Sequence, residues 1–113
     1  MAVKHTSEIK FKVELDENRI PEGITWNAQD GGIENESSKA IMLSVWDHKQ
    51  KDTLRMDLWT KDMPVDEMKQ FFHQTLVSMS NTFERATNDE KMSATMRDFC
   101  SYFAEKLELV DKK

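Results

Sequence analysis

Lys39-Ala-Ile-Met-Leu-Ser-Val-Trp-Asp47 and Thr53-Leu-Arg-Met-Asp-Leu-Trp-Thr60 decide the fold of this chain. Opposing Val45 with Leu54, Leu43 with Met56 and Ile41 with Leu58 keeps one constant register. The two stretches therefore predict an antiparallel hairpin closed by the polar loop 47–52. Side chains alternate between faces with a period of two, so those six residues share one side. Met42, Ser44 and Trp46, with Arg55, Asp57 and Trp59, take the other. That second face mixes two tryptophans and a methionine with charges.

Toward the N-terminus the same period recurs. In Ser7–Asp16, Ile9, Phe11, Val13 and Leu15 alternate with Glu8, Lys10, Lys12 and Glu14, which predicts a strand with one solvated side. Asp16-Glu17-Asn18 and Pro21-Glu22-Gly23 supply turn chemistry. A short strand over Ile24–Ala28 follows, and Asp30-Gly31-Gly32 opens a segment, 29–38, that reads as a loop.

Toward the C-terminus the period becomes 3.6. Asp62 is a candidate N-cap, Pro64 suits a first helical turn, and Asp66 and Glu67 complement the helix dipole. Val65, Met68, Phe72, Leu76, Met79 and Phe83 make one apolar stripe. Thr87 and Glu90 have the spacing of a capping box, which marks the start of a second helix. Met92, Met96, Phe99, Phe103 and Leu107 form its stripe. The order of elements predicts an α+β domain with an antiparallel three- to four-stranded sheet and two C-terminal helices packed on one face. Residues 1–113 read as a single domain, frayed at 1–6 and 110–113.

The 113 residues carry sixteen Lys and Arg against twenty-one Asp and Glu, for a net charge of −5. That balance argues against nucleic-acid binding, whose affinity comes largely from basic groups neutralising phosphates. It also argues against a polybasic membrane surface. Six Phe, three Trp and one Tyr, with abundant Ile, Leu, Val and Met, supply enough apolar mass for a core. No apolar run approaches the roughly 20 residues that span a bilayer, and the N-terminal residues as written hold no secretory h-region. Cys100 is the single cysteine, so no intrachain disulfide forms, and a reducing, cytoplasmic home is the simplest expectation.

Candidate chemistry is sparse. His5, His48 and His73 each lack a second His or Cys at metal-ligand spacing. Cys100 and His73 could be brought together by two packed helices as thiol and base, but Cys100 adjoins Phe99 in an apolar run, where cysteine acts as a small hydrophobe. Asp30, Glu34 and Glu36 do not follow the EF-hand pattern, and Gly31-Gly32 has no Gly-Lys-Ser/Thr after it to cradle phosphate. The residues predict no enzyme, cofactor or metal. Five of the eight methionines (Met56, Met68, Met79, Met92 and Met96) fall at positions expected to be core. Trp46, Trp59 and Met42, with Arg55 among them, are the candidate protein-binding residues, since exposed Trp is favoured at interfaces. The competing reading buries them under the segment 27–39.

Several segments carry a resemblance: Ser7–Pro21, Trp26–Gly32, Ala40–Asp47, Lys51–Met68, Thr82–Met92 and Tyr102–Leu107. Together they resemble the GldC family of gliding-motility proteins of Bacteroidota over about Ser7 to Leu109. The resemblance implies an accessory role in gliding, intertwined with type IX secretion, without known enzymatic activity and associated with the lipoprotein GldB. It supplies no family site residues. Two functional expectations follow: an accessory protein that docks a motility or secretion component through its tryptophan face, and an oligomeric, chaperone-like holdase. Neither involves nucleic acid or membrane insertion, and a homo-oligomer fits both.

Overall fold

The computed structural model describes residues 2–109. The chain forms two compact units, one ending at Met63 and one beginning at Pro64. Residues 2–8 hold no helix or strand, and the expected fraying at 110–113 falls outside the described residues.

The first unit contains β1 (Ile9–Leu15), β2 (Pro21–Ala28), β3 (Ile33–Ser38), β4 (Ala40–Asp47) and β5 (Asp52–Trp59). They make two antiparallel sheets, β1-β2-β3 and β4-β5. The second unit is α1 (Val65–Thr87) and α2 (Glu90–Lys106), so the α+β class holds. The expected sheet of three or four strands is corrected to five strands in two sheets.

The extra strand is β3, in the segment read as loop. Its sequence, Ile-Glu-Asn-Glu-Ser-Ser, has little strand propensity of its own. Pairing with β2 supplies what the side chains do not: Ile24 opposes Ser38, Thr25 opposes Ser37 and Trp26 opposes Glu36. A short 3₁₀ turn, Gln29–Gly31, and Gly32 at φ +70° reverse the chain between the two strands. Glycine adopts that left-handed conformation without steric cost. A register shift follows, and there the side chain of Asn27 accepts a hydrogen bond from the Asn35 backbone N–H at 3.0 Å.

β1 pairs with β2 so that Phe11 opposes Trp26 and Val13 opposes Ile24. The Phe11 and Trp26 rings stack at 5.6 Å, and Ile24, only 1% exposed, is the most buried large side chain of the unit. At the β1–β2 turn, Asp16 Oδ1 accepts from the N–H groups of Asn18 and Ile20 at 2.8 and 2.9 Å.

In the second unit the helix caps differ from expectation. Asp62 does not cap α1: it accepts from the Thr60 hydroxyl at 2.6 Å, and Pro64 stands at the cap position. α2 is capped by Asp89, whose carboxylate accepts from the Met92 N–H at 2.9 Å. Thr87 instead donates to the Phe83 carbonyl within the end of α1.

The seam between the helices is also displaced from the predicted stripe. Ser80, Ser93, Cys100 and Ala104 are the buried residues, while Phe72, Met79, Met92 and Phe99 are about half exposed. Small side chains let two helix backbones approach closely, and the buried hydroxyls are satisfied within their own helices: Ser80 donates to Val77 O and Ser93 to Asp89 O. His73 stacks on Phe103 across the seam, and Arg97 binds Asn81 and Glu84. The methionine expectation is corrected with the stripe: Met56, Met79 and Met92 are exposed, and Met68 and Met96 are half-buried.

Candidate functional surface

The β4–β5 register is the one read from the sequence: Ile41 opposes Leu58, Leu43 opposes Met56 and Val45 opposes Leu54. Ile41 is buried at the base of the hairpin. Toward the tip, Leu43, Val45, Leu54 and Met56 are exposed on one face, and Trp46 lies 62% exposed on the other. The loop is held by a Lys51 N–H bond to Asp47 O and a Lys49 N–H bond to the Asp47 carboxylate.

The four predicted contact residues do share a face, in the order set by the cross-strand pairs. Trp46 opposes Thr53, Arg55 opposes Ser44, Met42 opposes Asp57, and Trp59 opposes Ala40. Trp46 and Trp59 therefore stand at opposite ends of the ribbon, about 20 Å apart along the strands. Between them, Arg55 lies loosely against the Asp57 carboxylate at 3.4 Å. On this face Trp46 and Arg55 are exposed and Met42 is half-buried. The segment expected to cover it is β3, paired to β2, and Trp59 is 56% exposed.

At the base of β5, Lys61 ties the first unit together. Its Nζ sits 3.0 Å from both Asp16 and Glu22, which raises its pKa, the Glu22 contact most of all. Hydrogen bonds from the Ile20 N–H and from Lys61 lower the Asp16 pKa. A cleft of about 370 Å³ lies beside this network, lined by Ile20, Pro21, Asp57, Leu58, Trp59 and Lys61.

The other candidates stand apart. Cys100 is buried in the helix seam, and His73 faces Phe103. His5 pairs with Asp30 at 2.9 Å, and the Asp30 carboxyl is lowered by hydrogen bonds from Ser7 and His5. Among the described residues, no group of three or more His, Cys, Asp or Glu side chains is placed to hold a metal ion. None of their helices is long and apolar enough to cross a membrane.

β3 and the open tip of the hairpin escaped the sequence reading. The Gly31-Gly32 pair between Ala28 and Ile33 was the available signal for β3, since paired glycines between extended runs mark a reversal. No local pattern announces that Leu43, Val45, Leu54 and Met56 are exposed on the face that their apolar alternation marks as inward.

Comparison with protein families matches residues 21–109 to the model for gliding motility-associated GldC-like proteins. The match begins at the start of β2, so the resembling segment of β1 lies outside it. No curated protein and no solved structure matches the chain.

Proposed function

Because the chain belongs to the GldC-like family of gliding motility-associated proteins, we propose that it is a non-enzymatic accessory factor acting through protein–protein contacts. Its partner on this reading is a motility or type IX secretion component, the GldB lipoprotein being one candidate, met on the cytoplasmic side. The observation that carries the reading is the face on which Trp46, Arg55 and Trp59 are exposed beside the half-buried Met42. Large exposed aromatic groups beside an arginine match the composition of interface hot spots. The test is chromosomal replacement by a Trp46→Ala, Trp59→Ala double variant in a gliding bacterium that carries this gene. Loss of single-cell gliding at normal protein level supports the reading, and full gliding removes this face from it.

A second reading, a holdase for secreted or motility clients, is favoured by the exposure of Met56, Met79 and Met92. Methionine side chains are flexible and accept varied apolar partners. Suppression of aggregation of a model client at stoichiometric chain separates the two.

A further inference from the structure

The geometry points to a second copy of this chain as the occupant of the free edge of β5, joined to it by a two-fold axis through Met56. The inference stands on the hairpin's own sequence and register, independently of the function proposed above. Among the described residues, β4 and β5 pair only with each other. A two-stranded ribbon is marginally stable alone, while four strands form a self-sufficient sheet. From Thr53 to Trp59, β5 therefore offers an unpaired row of backbone donors and acceptors, which ends where the Lys61 N–H bonds to Pro21 O.

Its charges choose the register. A two-fold axis perpendicular to the sheet keeps each face on its own side, so residues of like parity oppose one another. Centred on Met56, the axis sets Arg55 opposite the partner's Asp57, and Asp57 opposite the partner's Arg55. The neighbouring registers of this symmetry set Arg55 on the partner's Arg55 or Asp57 on the partner's Asp57. Directly opposed unlike charges stabilise a strand pair and like charges destabilise it. Edge charges that only protect a strand repel every approach. This pair repels in the adjacent registers and attracts in one.

The same register pairs Leu54 with the partner's Leu58 on the apolar face. On the other face it puts Thr53 opposite the partner's Trp59. Thr53 already opposes Trp46 within its own hairpin. Trp46 and the partner's Trp59 then flank one threonine in a single cross-strand row, joining aromatic groups that one chain holds at opposite ends. At the base end of this edge the Lys61 N–H bonds to Pro21 O, and a cleft separates Asp57, Leu58 and Trp59 from Ile20 and Pro21, so the partner strand would run along Thr53–Trp59 and stop short of that bond. β4 holds only Asp47 as a charged residue and so has no opposite-charge pair to select a register.

Sedimentation of the full chain tests this. Wild type is expected at twice the 13.3 kDa chain mass. Arg55→Asp alone and Asp57→Arg alone are each expected at the single-chain mass, with circular dichroism unchanged. An equimolar mixture of these two variants is expected to regain the doubled mass, because each then faces the other's opposite charges across the axis. A charge role confined within one chain cannot produce that rescue. A Met56→Cys, Cys100→Ala variant adds a reading independent of charge. Directly opposed Cα atoms at about 4.5–5.5 Å lie in disulfide range, so a cross-linked dimer is expected under mild oxidation. A single-chain mass for wild type, single variants that remain dimeric, or a mixture that stays monomeric would overturn the proposal.

Discussion

Trp46 and Trp59 occupy the same face of one hairpin and never meet: Trp46 stands against Thr53 near the tip, and Trp59 against Ala40 at the base. Both are more than half exposed, and neither belongs to the first unit's buried core around Ile24. Aromatic side chains placed this way contribute little to folding. On the function proposed above, their role lies in what they touch outside the chain.

Trp46→Ala and Trp59→Ala, made singly, should therefore each change unfolding stability by no more than about 0.5 kcal/mol, as exposed substitutions usually do. Ile24→Ala, at a position 1% exposed, should cost about 2–5 kcal/mol through lost apolar burial and the cavity left behind. Urea denaturation of the three variants, made at a concentration where the chain is monomeric, measures the contrast, and comparable losses at all three positions would show the tryptophans to be part of the core.

Ser80 is fully buried where α1 meets α2. Ser80→Leu should push the helices apart at a cost of about 1–3 kcal/mol. Ser80→Ala should be tolerated within about 0.5 kcal/mol, because the hydroxyl bonds only to the Val77 carbonyl of its own helix. Thermal or urea unfolding distinguishes a seam that depends on small volume from one that depends on the hydroxyl.

Asp89, rather than Thr87, satisfies an open backbone donor at the start of α2. Asp89→Ala should lose about 1 kcal/mol. Thr87→Ala removes a hydroxyl that donates to the Phe83 carbonyl and accepts from the Asp89 N–H, and it should lose less. The order of the two unfolding midpoints checks the assignment.

Asp16 links the β1–β2 turn to Lys61. Its pKa is lowered below the ordinary 3.8, mainly by the Ile20 N–H and Lys61. A depressed carboxyl stabilises the fold above its unfolded pKa and loses that contribution as pH falls through the folded value. Asp16→Asn should thus lower the urea midpoint at pH 7, with the gap from wild type narrowing as pH is taken from about 5 down through 3 and below. Lys61, raised above 10.5, acts in the opposite sense: its contribution holds below that value and is lost as pH rises through the folded pKa. A gap that is constant across the acid range would place the effect of Asp16 in its turn geometry alone.

Much of this fold is legible along the chain because its causes are local. Alternation in Ile9–Leu15 follows from the two-residue period of a strand, and the register of β4 on β5 follows from matching apolar positions around a polar loop. The break from period two to 3.6 after Lys61 marks the helices for the same reason. β3 was not legible, because Glu34, Asn35 and Glu36 have no strand preference and acquire one only from the backbone of β2. The face of Trp46, Met42, Arg55 and Trp59 was legible as a set of residues and not as a patch, since pairing alone sets its two tryptophans at opposite ends.

The sequence by itself determined the class, the turns and the hairpin register, all of which rest on interactions between near neighbours or on the parity of a pleated strand. Only the tertiary structure decided which side chains are covered. Ser80, Ser93, Cys100 and Ala104 fill the helix seam while Phe72, Met79, Met92 and Phe99 stay outside it. Close backbone approach selects small volume, and an apolar stripe read from one helix cannot tell which of its flanks the neighbouring helix will take.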